Sequence, residues 1–174
     1  MALLTVKQLS DKYFMSSDYN ALSDKSKVDY KNFMNILLGT EVDECIIQEA
    51  VAKRLTGPTA RKAYEQWLER GVPMANHICA VARKLYSFGM EMGYADMNPF
   101  ATFKRKTVKP RKTVWTQDEL RLFLDTAYSD YKYRSVGLIA QMAYEWCQRI
   151  GDMRTLKFDC VDLENGVLNL EQSK

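Results

Sequence analysis

A single histidine, His77, and four widely spaced cysteines, Cys45, Cys79, Cys147 and Cys160, are the scarcest features of this chain. No two cysteines form a Cys-x-x-Cys pair, so neither a zinc site nor a disulfide framework is expected. They read as reduced, partly buried small hydrophobes of a cytosolic protein. One histidine has too few partners for a metal centre, and no metal or cofactor is expected. Long apolar runs are missing as well. Nothing approaches the roughly 20 residues that cross a bilayer, and Met1-Ala2-Leu3-Leu4 carries no secretory signal. What remains is ordinary globular composition, 47% hydrophobic and 27% charged over 174 residues, enough for one domain or two small ones.

The net charge of +3 gains meaning only when divided along the chain. Residues 1–103 carry 12 basic and 12 acidic side chains, and residues 114–174 carry seven basic and ten acidic. Residues 104–113 carry six basic and no acidic ones: Lys104, Arg105, Lys106, Lys109, Arg111 and Lys112. The whole excess sits in ten residues. A basic run so confined is the footprint of a polyphosphate-binding segment. A solvated linker held open by self-repulsion has the same composition.

Apolar periodicity predicts a helical bundle over the first hundred residues. An amphipathic helix spans 5–15 and breaks at Ser16-Ser17-Asp18. Ser23 caps a second helix that ends at Gly39. A third is expected over 42–55, a fourth from Pro58 to Gly71, and the longest over 73–92. Met74, Ile78, Val81, Leu85, Phe88 and Met92 give that last helix its buried face. Its other face shows Asn76, Arg83 and Ser87. Further on, Thr116-Gln117-Asp118-Glu119 is a capping box that opens a new helix. A second then runs to Trp146 and Arg149. Beyond Phe158 the period shortens, and Asn165-Gly166 marks a hairpin. Two strands alone are marginal, so a third is expected.

The densest cluster of chemistry lies in residues 146–174. Arg149 follows the stripe Val136, Ile139, Met142, Ala143, Trp146 and precedes Ile150, Met153, Leu156. Between two core-facing segments it is expected to be partly buried and in need of a partner. Asp152 supplies one if a helix continues through both. A structural ion pair and a phosphate site both fit, since a guanidinium fork matches phosphate oxygens.

The run Gln148-Arg149-Ile150-Gly151-Asp152, then Leu156-Lys157-Phe158-Asp159, Leu163-Glu164-Asn165-Gly166 and Glu171-Gln172-Ser173-Lys174 resembles the first catalytic block of the tyrosine recombinases, the phage-integrase type of DNA strand-exchange enzyme. Residues 80–94, followed by Asn98-Pro99-Phe100, are similar to the end of that family's core-binding domain. Trp115-Thr116 with Glu119-Leu120 resembles the opening helix of its catalytic domain. Cys147 departs from the pattern, which commonly has glycine there.

The resemblance implies a mainly α chain. Residues 1–103 form a SAM-like, helical, DNA-binding core-binding domain, 104–113 a basic linker, and 114–174 the α+β start of a catalytic domain. It implies a tyrosine nucleophile, a phosphotyrosyl intermediate and no metal or cofactor. Arg149 stabilises charge on the scissile phosphate, Lys174 acts as general acid and Asp152 supports the arginine. Double-stranded DNA is the implied partner, with self-association on DNA and a location in the cytoplasm of a bacterial or phage-infected cell. Candidate contacts outside the linker are Lys27, Lys31, Arg61, Asn76 and Arg83. The family's later His-x-x-Arg set and nucleophilic tyrosine have no counterpart after Lys174. These 174 residues are therefore expected to be the N-terminal portion of such an enzyme and unable to cleave DNA alone. A non-catalytic DNA-binding regulator derived from a truncated integrase is the alternative, and an all-α protein adaptor a third.

Overall fold

Thr5 opens the fold by a reciprocal cap. Its hydroxyl accepts the Gln8 amide at 3.2 Å, and Gln8 Oε1 accepts the Thr5 amide at 3.0 Å. Helix α1 (Val6–Phe14) follows. The computed structural model describes residues 3–110 and 112–170. Arg111 and Lys174, both candidates above, lie outside the described residues.

Hydroxyl caps start the next elements too: Ser16 for α2 (Ser17–Asn20) and Ser23 for α3 (Asp24–Leu38). Helix α4 (Gly57–Leu68) is capped by Thr56, with proline in its first turn, where no amide donor is missed. Gly71, expected to end α4, instead sits at the head of α5 (Val72–Glu91) with φ of 95°. Helix α5 is the centre of the first unit and packs against α1, α3 and α4. Its buried residues include Ile78, Val81, Leu85 and Phe88, as the periodicity predicts. Met74 and Met92, expected to face inward, are 37% and 50% exposed. Small residues take their place. Ala75, Cys79, Ala82 and Gly89 are buried because neighbouring helices come close: a Cβ on Gly89 would stand 3.1 Å from Leu9 Cδ2.

The helix expected over 42–55 does not form. Strands β1 (Glu41–Val42) and β2 (Cys45–Ile46) pair antiparallel across a turn in which Asp43 and Glu44 both have positive φ. Two 3₁₀ turns, Ile47–Glu49 and Ala52–Arg54, complete the segment. Pairing distant in sequence decides the outcome. The Val6 amide, an orphan donor of the first turn of α1, reaches the Ala50 carbonyl at 2.9 Å, and the Ala52 amide reaches Leu4 at 2.9 Å. The extended residues Ala50 and Val51, with the Ala52 amide beyond them, thus satisfy the start of the fold, where a helix would have left those groups bare.

The chain divides into two compact units, Met1–Pro110 and Arg111–Lys174. The boundary falls inside the basic run, so its first seven residues belong to the helical unit. In the second unit the capping box forms as expected, Thr116 with Glu119, at the head of α6 (Gln117–Ser129). A 3₁₀ turn (Tyr131–Tyr133) leads to α7 (Arg134–Glu145). The two helices touch at Ala127 and Gly137, where a Cβ on the glycine would lie 3.0 Å from that of the alanine. Then come α8 (Ile150–Arg154), a 3₁₀ turn (Phe158–Cys160) where a strand was expected, and a hairpin of β3 (Val161–Asp162) and β4 (Val167–Leu168). Among the described residues this sheet has two strands. The chain is mainly α, and among those residues no helix is long and apolar enough to cross a membrane.

The hairpin turn carries a pH-dependent lock. Hydrogen bonds to Asp162, first from the Asn165 side chain at 2.8 Å and then from the Asn165 and Glu164 amides at 3.0 Å, hold its carboxyl below the ordinary carboxylate range. A depressed folded-state pKa means the stabilisation is complete above the unfolded value of about 3.9 and is lost as pH falls through the folded one. NMR titration should place the Asp162 midpoint below about 3.9, and an Asn165→Ala change should raise it.

Candidate functional site

In the helical unit, the basic run leaves the bundle along α4 and α5, and a chain of hydrogen bonds sets its path. Tyr64, fully buried on α4, donates its hydroxyl to Asn76 Oδ1 at 2.9 Å and accepts the Lys106 amide at 2.7 Å. Asn76 Nδ2 donates to the Lys106 carbonyl at 2.8 Å. Lys106 is thereby held at both its backbone groups. About two turns along α5, Arg83 donates from Nε to the Phe100 carbonyl at 2.6 Å and from Nη2 to the Phe103 carbonyl at 2.8 Å. The Phe103 ring lies under two guanidinium groups, Arg61 at 5.5 Å and Arg83 at 6.0 Å, and against Tyr64 at 5.3 Å. Asn98 adds a bond from Nδ2 to the Arg83 carbonyl at 2.8 Å.

Two of the outward candidates thus have other work. Asn76 and Arg83 are half-buried and bind backbone of residues 100–106, because an α5 face beside an extended strand must satisfy that strand's carbonyls and amides. Arg61 is half-buried, paired with Glu65 at 2.8 Å and laid on Phe103. Lys27 is half-buried, 3.9 Å from Asp24, and Lys31 is exposed. The side chains of Lys104, Arg105, Lys106, Lys109 and Lys112 are all exposed. With Asn76, Arg83 and Phe103, residues 104–106 line a groove of about 650 Å³. His77 stacks on Phe33, ring centroids 5.4 Å apart, and among the described residues no cluster suits a metal ion. Tyr64 and Phe103 escaped sequence reasoning. In the sequence Tyr64 is one aromatic among the apolar residues of α4, and its contact 42 residues downstream is what distinguishes it.

In the second unit, α7 ends at Glu145 and does not run on to Arg149. Cys147 takes a positive φ of 52°. The Gln148 amide turns back to the Ala143 carbonyl at 3.1 Å, and the Cys147 amide to Tyr144 at 3.4 Å. This is a Schellman ending, whose left-handed position is usually glycine. Arg149 follows at the N-cap of α8 with extended backbone, and its carbonyl accepts the Asp152 and Met153 amides at 3.0 and 3.1 Å. Arg149 is exposed, against the expectation of partial burial, because the helix stops short and the kink carries it off the apolar stripe. Asp152 is buried at 4% exposure beside Met153, so the two candidates share one turn with opposite accessibility. Two cysteines differ from expectation as well: Cys45 and Cys147 are exposed, while Cys79 is buried and Cys160 half-buried. All four are free.

Comparison with solved structures shows which fold this is. A lambda integrase tetramer bound to a Holliday junction matches with a TM-score of 0.80 at 19% identity, over 98% of this chain and 48% of that one. This is the fold of the tyrosine-recombinase integrases. The Tn1549 transposon integrase, in complex with circular intermediate DNA, matches with a TM-score of 0.75 at 17% identity, over 93% of this chain and 52% of that one. A lambda integrase dimer bound to a COC′ core site gives 0.74 and 17%, over 91% and 43%. The chain therefore spans about half the length of the integrases it matches. No protein-family model and no curated protein matches the sequence.

Proposed function

We propose that this chain is the DNA-binding helical part and the start of the catalytic part of a tyrosine recombinase, a site-specific DNA strand-exchange enzyme. Residues 1–103 act as the core-binding domain, 104–113 as a linker that follows phosphates, and 114–174 as the opening of the catalytic domain. The observation that carries the reading is the integrase fold together with an exposed arginine, Arg149, at the kink between α7 and α8.

In this reading a tyrosine oxygen attacks the scissile phosphorus, the bond to the 5′-oxygen breaks, and that oxygen leaves as a hydroxyl. Arg149 offsets charge on the non-bridging oxygens as it develops. Lys174 gives its proton to the leaving oxygen. Asp152 acts from beneath, holding the turn whose N-cap presents the arginine. The phosphotyrosyl bond conserves energy for rejoining.

The test is binding of the 174-residue chain to a duplex of about 30 base pairs over roughly 50 to 200 mM salt. The expected result is a linear fall of log K with log salt, and no covalent adduct on a nicked duplex. Absent or salt-independent binding refutes the DNA reading. A covalent adduct refutes the assignment of the nucleophile to a segment beyond residue 174.

A further inference from the structure

Tyr64 stands out once the site is described. It is a fully buried tyrosine whose hydroxyl is spent on main chain and on Asn76, far from any core requirement of its own. A phenylalanine would fill the same space. The hydroxyl holds the Lys106 amide and Asn76, and Asn76 in turn holds the Lys106 carbonyl. Arg83 does the same for the carbonyls of Phe100 and Phe103. Residues 100–106 have one 3₁₀ turn, Pro99–Ala101, and no strand partner, so these side chains replace the missing ladder. Arg105 adds a bond from Nη1 to the Asn76 carbonyl at 3.3 Å. The cationic side chains of Lys104 and Lys106 remain exposed on a backbone held by these hydrogen bonds.

We propose that Tyr64 and Asn76 are positioning residues that preorganise the Lys104–Lys106 segment to lie along a nucleic-acid phosphate backbone. The inference rests on the DNA-binding reading above and adds the device that sets the segment's path. A flexible basic tail must be ordered when it binds, and that ordering costs affinity. A strand pinned in advance at Lys106 avoids the cost. The prediction differs from that for a contact residue. Losing a phosphate contact lowers the slope of log K against log salt by about 0.9. Losing preorganisation leaves the number of phosphates neutralised unchanged, so it lowers log K by the same amount at every salt concentration.

The experiment compares the wild-type chain, Tyr64→Phe, Asn76→Ala and Lys106→Gln on the same 30-base-pair duplex. Amide hydrogen exchange at Lys106 and at Leu85 in α5 is followed in parallel. Tyr64→Phe and Asn76→Ala should each bind about five- to tenfold more weakly at all salts with the wild-type slope. The Lys106 amide should lose protection while Leu85 keeps its own. Lys106→Gln should instead reduce the slope. Wild-type affinity in both positioning variants despite lost Lys106 protection overturns the proposal, as does a reduced slope in them. Because Asn76 is only half-buried, its variant keeps the test alive if Tyr64→Phe does not fold. A wild-type chain that fails to bind at all overturns the functional reading itself, a result distinct from either.

Discussion

Replacing Lys104, Lys106 and Lys109 together with glutamine should lower duplex affinity at about 0.1 M salt by on the order of 500-fold. The argument is one of counterions. Each lysine that neutralises a phosphate releases cations condensed on the duplex, and each such contact contributes about 0.9 to the salt slope. Three lost contacts should flatten the slope by about 2.7. The first 103 residues balance their charges and the last 61 are net acidic, so the substitutions remove half of the six cations that carry the chain's positive excess. All three lysines are exposed, so thermal stability should be unchanged to within about 0.5 kcal/mol. Fluorescence anisotropy across a salt series, with a melting curve beside it, reads both quantities. An unchanged slope would remove the basic run from the interface.

The largest loss of stability should come from Phe100→Ala. Phe100 is fully buried, parallel to Trp67 with centroids 6.0 Å apart and 5.6 Å from Tyr86. Truncating a buried phenylalanine costs about 3 to 5 kcal/mol in lost transfer energy and residual cavity. For a unit of this size that lowers the melting temperature by on the order of 12–20 °C. The effect should reach past the core. Phe100 anchors the segment whose carbonyls Arg83 holds, so Lys106 should lose exchange protection well below the melting temperature. Calorimetry measures the first effect and exchange the second. A drop under about 1 kcal/mol would mean that Trp67 and Tyr86 close the gap.

The helices were legible where local signals agreed. Thr116 with Glu119 announces its helix through a capping box, and the stripe of α5 is plain at Ile78, Val81, Leu85 and Phe88. Legibility failed where a distant partner decided the conformation. Residues 42–55 have an apolar spacing that suits a helix, yet the amide of Val6 and the carbonyl of Leu4 claim the backbone of Ala50 and Ala52. Asn76 and Arg83 were placed on the outward face of α5, and their engagement with residues 100–106 shows in no local pattern. The exposure of Arg149 was hidden for another reason. Its register on an apolar stripe implied burial, but the helix ends four residues earlier, at Glu145, and the chain bends at Cys147, a turn only backbone angles reveal.

That turn has a consequence for drift in the sequence. The bend ahead of Arg149 is made chiefly by main-chain bonds to Ala143 and Tyr144, to which the Cys147 thiol adds one long contact, 3.9 Å from the Tyr144 carbonyl. A substitution there alters how much the kink costs without altering where it points. Cysteine in a left-handed conformation carries a penalty of about 1 kcal/mol that glycine would not. Mutation can therefore wander at this position while the guanidinium two residues later keeps its aim.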